Sequence, residues 1–188
     1  MIKTASKIPL PGDLAMWVLI LAELSVFALL FITYAVSRQL NPELFFNGQQ
    51  LLHPIAGSLI TIALLSASFF VAQSVNFYHQ VKPRLAAASM WLAILCGLVY
   101  LVIKNWEYQQ LIEQGIGLST DSFFTYYYLL TIFHMFHVIL GLGLLTYVAI
   151  NLMKENWREG NILESISSYW HMVDLVWLIL FPLLYLVH

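Results

Sequence analysis

Five stretches of the chain are apolar over a length that fills a bilayer, and each is fenced by proline, asparagine, glycine or charge. About 20 residues at 1.5 Å rise cross the hydrocarbon core, so each stretch predicts a spanning helix. The expected helices are residues 14–37, 54–78, 85–112, 122–153 and 165–187. The first is entered through Pro11-Gly12-Asp13, with Asp13 placed to cap the helix start. Asn41-Pro42 opens a loop that continues through Asn47-Gly48 to His53, and Pro54 then takes the first-turn position of helix two. Helix two carries Gly57, Ser58, Ala63, Ser66, Ala67 and Ser68, which suit close approach of a neighbouring helix. The hinge His79-Gln-Val-Lys-Pro-Arg84 leads to helix three, which leaves through Lys104-Asn-Trp-Glu-Tyr108, an interfacial set with a belt of aromatics. The loop from Glu113 to Asp121 precedes helix four, whose 32 residues would be about 48 Å long and therefore tilt or project into water. A charged loop from Lys154 to Glu164 precedes helix five, and Pro182 is expected to kink its outer end.

Composition agrees with a single all-α integral membrane domain of five transmembrane helices over residues 1–188. The chain is 61% hydrophobic and 10% charged, whereas soluble domains carry about 25% charged residues. The net charge of −2 gives no electrostatic footprint for nucleic acid. Cys96 is the single cysteine, so no internal disulfide is possible. The N-terminus resembles a signal peptide at first sight, but its apolar run continues to Ser37 and is too long for a cleaved segment. Lys3, Lys7, Lys82, Arg84, Lys154 and Arg158 fall at one end of the expected helices, and Arg38 and Lys104 at the other. This asymmetry places the N-terminus in the cytoplasm and His188 on the periplasmic side.

The candidate chemistry lies in the few polar residues of the spans. Helix four has no formal charge before Lys154, yet His134 and His137 are three residues apart and share a face, close to Gly141 and Gly143. Glu23, Glu107, His171 and Asp174 add polar groups from other helices. With each span centred, Glu23, His137 and Asp174 come within roughly 5–10 Å of one depth, His171 lies deeper toward the cytoplasm and Glu107 sits near the outer surface. An ionised carboxylate at mid-bilayer costs at least about 2.5 kcal/mol, so Glu23 faces protein, water or headgroups, or keeps its proton. Three uses are open for the set. A His-x-x-His pair with carboxylates resembles di-iron bundles, but the Glu-x-x-His element of such sites is absent from every span. A proton or ion path is the second, without the repeats or broken half-helices of transporters. The third is an interhelical hydrogen-bond network fixing how five apolar helices pack, at about 0.6 kcal/mol per bond. The runs Phe123-Phe124 and Tyr126-Tyr127-Tyr128 read as belt and packing.

Helix five carries a resemblance. Tyr169-Trp-His171-Met-Val-Asp174-Leu-Val-Trp177 resembles the Tyr-Trp-His-x-Val-Asp-x-Val-Trp signature of subunit III of haem-copper oxidases. Phe123-Phe124, His134-x-x-His137-Val, Glu107-Tyr108 and Glu23 resemble further segments of that subunit, in order along nearly the whole chain. The two N-terminal helices of the seven-helix mitochondrial type have no counterpart. The five-helix form is similar to subunit III of bacterial quinol oxidases and to the NorE-like accessory protein encoded with bacterial nitric oxide reductase. Pro11-Gly12-Asp13 followed by Met16-Trp17, and Glu23 in place of an aspartate, point to the latter. The resemblance implies a bacterial inner-membrane subunit with no catalysis alone and no catalytic, cofactor or metal ligands. Haem with iron or copper would reside in a catalytic membrane partner, and phospholipid in the interhelical grooves. Glu23, Glu107, His134, His137, His171 and Asp174 would then form a buried polar network or lie beside lipid.

Overall fold

The computed structural model describes residues 13–154, 157 and 159–186. Lys3, Lys7, Pro11, Gly12, Arg158 and His188, which enter the charge count and the expected start of helix one, lie outside the described residues. The helices are α1 (Leu14–Leu40), α2 (Pro42–Gln50), α3 (Pro54–His79), α4 (Pro83–Glu113), α5 (Ser122–Leu152) and α6 (Gly160–Phe181), and a π-helical turn (Pro182–Leu186) extends α6. Five of these, α1, α3, α4, α5 and α6 with its extension, are long and apolar enough to cross a membrane. The described residues contain no strand.

Local chemistry sets the ends. The Asp13 carboxylate accepts from the Ala15 amide at 3.4 Å, and its own amide donates to Ser165 Oγ at 2.8 Å, so the start of α1 is tied to α6. Asp121 caps α5 through the Phe124 amide at 2.9 Å. Proline occupies the first turn of α2, α3 and α4, where a missing N–H costs nothing. The α4 end closes on Gly115 at φ 77°, with the Ile116 amide on the Leu111 carbonyl at 2.9 Å, a glycine-centred Schellman turn. The α3 end closes in the same way, Lys82 N–H on Phe77 O at 3.0 Å, but the left-handed residue is Val81 at φ 59°. A β-branched side chain in that region is strained.

Two departures from the sequence expectation concern element ends. The expected loop after helix one folds as α2, because Phe45 enters a nest of Tyr34 and Phe123 rings while Gly48 lets Phe123 lie against the backbone. Helix α6 starts at Gly160, before Ser165, where Tyr78 packs on the glycine and Leu163 is buried. At Pro182 the helical register widens into the π-turn. The Leu183 carbonyl there accepts from Tyr34 Oη and Gln49 Nε2, each at 3.2 Å, so α1 and α2 satisfy the exit of α6.

The bundle is built around α6. Helix α3 pairs with α4 as a hairpin, α5 packs on α4, α6 lies against α3 and α5, and α1 closes over α5 and α6. Trp170 of α6 is buried between two glycines. A Cβ on Gly97 of α4 would come within 3.0 Å of its ring, and one on Gly141 of α5 within 2.9 Å. Outward, α1 shows Leu14, Val18, Leu21, Leu29, Ile32 and Val36, a surface fitted to acyl chains and not to water.

Candidate functional site: a polar seam through the bundle

The inward faces hold three polar clusters at successive depths. The first lies toward the Asn41 end. Lys104 and Glu107 of α4 are 0% and 1% exposed and 2.7 Å apart. The lysine's three N–H donors go to Glu107 Oε2, to Tyr127 Oη at 3.0 Å and to Tyr185 Oη at 2.9 Å, and Tyr185 Oη donates to Glu107 Oε1 at 2.8 Å. The ammonium also lies 4.6 Å from the Tyr127 ring centre and 5.6 Å from that of Trp177. Such a cage offsets the desolvation of a buried pair with hydrogen bonds and ring quadrupoles. Tyr108 Oη beside it donates to Thr131 Oγ1 at 2.8 Å, which donates to the Tyr127 carbonyl.

This arrangement corrects the reading of Lys104 as a loop charge in an interfacial set, since its ammonium is enclosed within the bundle. Helix α4 continues to Glu113 and turns Tyr100, Lys104, Glu107, Tyr108 and Leu111 inward, leaving Asn105 and Trp106 exposed. The i, i+4, i+7 spacing of Tyr100, Lys104 and Glu107 carries that information. Neither Tyr127, which reads as belt, nor Tyr185 stands out as a polar site residue in the sequence. Nothing in their local sequence marks them, since the cage forms only when the π-turn meets α4 and α5.

The second cluster surrounds His134, which is fully buried. Its Nε2 is 3.1 Å from the Val173 carbonyl and its Nδ1 3.0 Å from Tyr100 Oη. A carbonyl can only accept, so Nε2 carries the proton, and in the neutral ring Nδ1 accepts from the tyrosine. Trp177 and Phe27 rings wall the imidazole.

The third cluster joins α1 to α5. His137 Nδ1 donates to the Phe133 carbonyl at 2.8 Å, and Nε2 meets Glu23 Oε2 at 3.0 Å. Because Nδ1–H is fixed by a carbonyl, a hydrogen bond at Nε2 needs one proton between the ring nitrogen and the carboxylate. The Glu23 side chain is 27% exposed and that of His137 10%, so the pair sits at the edge of the bundle. His134 and His137 share one face of α5 but not one site: each has both ring nitrogens on protein partners. Among the described residues no group of three His, Cys, Asp or Glu converges as metal ligands.

Across the bundle, His171 Nδ1 lies 3.2 Å from Ser68 Oγ of α3, with the ring exposed on the outer face of α6. Asp174 is buried one turn on, and its Oδ1 has no partner among the described residues. Trp177 Nε1 donates to Thr61 Oγ1 at 3.0 Å. The residues of the helix-five signature therefore bridge α3, α4 and α5 from the central helix.

The sequence profile of cytochrome c oxidase subunit III matches residues 11–188. The chain belongs to that family. It is 29% identical to the heme-copper oxidase subunit I+III of Aeropyrum pernix over 191 residues, covering 95% of this chain but 23% of that longer protein. It is 25% identical to a probable quinol oxidase subunit 3 of Staphylococcus saprophyticus and 26% to that of Staphylococcus haemolyticus, each over 94% of this chain and 89% of the relative. This subunit III family member thus matches a stand-alone subunit over most of its length and a fused one over part. The alternative weighed from the sequence, subunit III of an oxidase, agrees with these names at the level of the family.

Proposed function

We propose that this chain is a non-redox accessory subunit of a haem-copper superfamily terminal oxidase or reductase in a bacterial inner membrane. It packs against the catalytic haem-containing subunit, carries phospholipid in its grooves and supports assembly, stability and sustained turnover. The family match over residues 11–188 carries this reading. The polar seam supports it: His134, His137, Lys104 and Glu107 direct their polar atoms at groups within the bundle and so tie its helices together. The named staphylococcal relatives favour a quinol oxidase as the complex. The Asp13 entry with Met16 and Trp17, and Glu23 where the oxidase form has aspartate, favour the nitric oxide reductase accessory group as a second reading.

A mild-detergent pull-down of the tagged chain from its native membrane tests both. Haem spectra on the eluate are expected from a partner, and the partner's spectrum assigns it to an oxygen-reducing or a nitric-oxide-reducing enzyme. A solitary chain carrying near-stoichiometric iron, manganese or zinc would overturn the accessory role.

A further inference from the structure

We infer that the cleft at the basic end of the α3–α4 hairpin is a binding site for an anionic phospholipid, seated with its phosphate between Arg84 and Lys154. The cleft has a volume of about 1040 Å³, large beside ordinary small-molecule pockets of roughly 300–1,000 Å³. Its lining includes Ala87, Ala88 and Trp91 of α4 and Leu152 of α5, with Trp157 from the following loop. Among the described residues, Arg84, Lys154 and His79 are the cationic side chains of the lining, and none of the lining residues is a carboxylate. His79 is engaged by Glu164 at 3.3 Å and Lys154 reaches Asn151 Oδ1 at 2.8 Å, whereas Arg84 has no polar partner among the described residues.

Three features select a lipid over a soluble anion. The cations occur at one end of the bundle, where α3 and α5 finish and α4 begins, which is the depth of headgroups for helices that span. Tryptophan is the side chain most at home at that depth. One turn beyond the lining residues Ala88 and Trp91, α4 exposes Leu92 and Leu95, an apolar track for an acyl chain. No side chain caps the start of α4, so its first-turn amides add positive potential beside Arg84. A diacyl lipid with net negative charge satisfies all of these, and a zwitterionic one does not answer the charge.

The site gives a place and a headgroup to the lipid carriage in the proposed function. Its test uses this chain alone in nanodiscs, so failure here and failure of the accessory role are separately visible. Phosphatidylglycerol brominated on the upper acyl chain is titrated into a phosphatidylcholine bilayer and tryptophan quenching is followed. Brominated phosphatidylcholine at the same mole fraction is the reference, and W91F/W157F isolates the contribution of the cleft. Preference for phosphatidylglycerol by about tenfold or more is expected from two cations. It should fall to the reference level in R84Q/K154Q, persist in R84K/K154R, and weaken in the unaltered chain at high salt. Equal quenching by both lipids, or a preference unchanged in R84Q/K154Q and by salt, would overturn the site. Release of the quenching by millimolar inorganic phosphate would overturn the lipid assignment in favour of a soluble anion.

Discussion

Lys104 Nζ stands 2.7 Å from Glu107 Oε2 within one helix, and both side chains are out of contact with solvent and lipid. Removing one member leaves the other charged and buried, which costs about 3–5 kcal/mol in known cases. Lys104→Met should therefore destabilise the bundle severely. The double variant Lys104→Met, Glu107→Leu should be less damaged than either single change, with the tyrosine hydroxyls bearing the residual cost. Unfolding of the three variants in detergent decides it, and additive losses would show that the pair is not coupled.

The Trp170 slot makes a steric prediction with an internal control. Ala at Gly141 or Gly97 would put a methyl within 3.0 Å of the Trp170 ring, and overpacking of this kind costs about 1–3 kcal/mol. Ala at Gly143, where a Cβ meets nothing within 4 Å, should be neutral or slightly stabilising. Equal melting temperatures for the Gly141 and Gly143 variants would refute the slot.

The spans were legible because a bilayer imposes a length, and residues such as Asp13, Pro54 and Asp121 mark their starts by chemistry that needs no tertiary contact. Glu23 and His137 were placed at a common depth from rise per residue, and they meet at 3.0 Å. Lys104 was misread because charge near a helix end resembles an interfacial anchor until its face is followed for another two turns. Helix α2 was invisible for a different reason. Its nine residues include proline, glycine and only three apolar side chains, and its stability comes from Phe45 and Gly48 docking on α1 and α5, not from its own pattern. The partnerships of Tyr127, Tyr185 and the Leu183 carbonyl depend on the π-turn, whose register no periodicity announces.

Glu23 and His137 should behave as one energetically coupled pair. Glu23→Gln and His137→Gln each break a contact between α1 and α5. A double-mutant cycle on unfolding in detergent should give a coupling of about 0.5–3 kcal/mol, the range for residues in direct contact. In the assembled complex, Glu23→Ala should reduce yield or shorten sustained turnover. A complex with normal yield and undiminished long-term activity would count against a role for the pair.

Val81 offers a gain instead of a loss. It holds φ 59° at the end of α3, in the position that Gly115 fills at the end of α4. A left-handed conformation costs an ordinary residue about 1–2 kcal/mol, and glycine adopts it freely, although glycine also loses more freedom on folding. Val81→Gly should therefore raise stability by about 1 kcal/mol, while Gly115→Val should lower it by a comparable amount. The side chain is 85% exposed and its removal sacrifices little packing. The same turn reports topology: with Cys96 replaced by alanine, Val81→Cys should react with an impermeant thiol reagent from the cytoplasmic face of oriented vesicles. Labelling from the opposite face would invert the orientation drawn from the lysine and arginine distribution, and with it the leaflet from which an anionic lipid could reach Arg84.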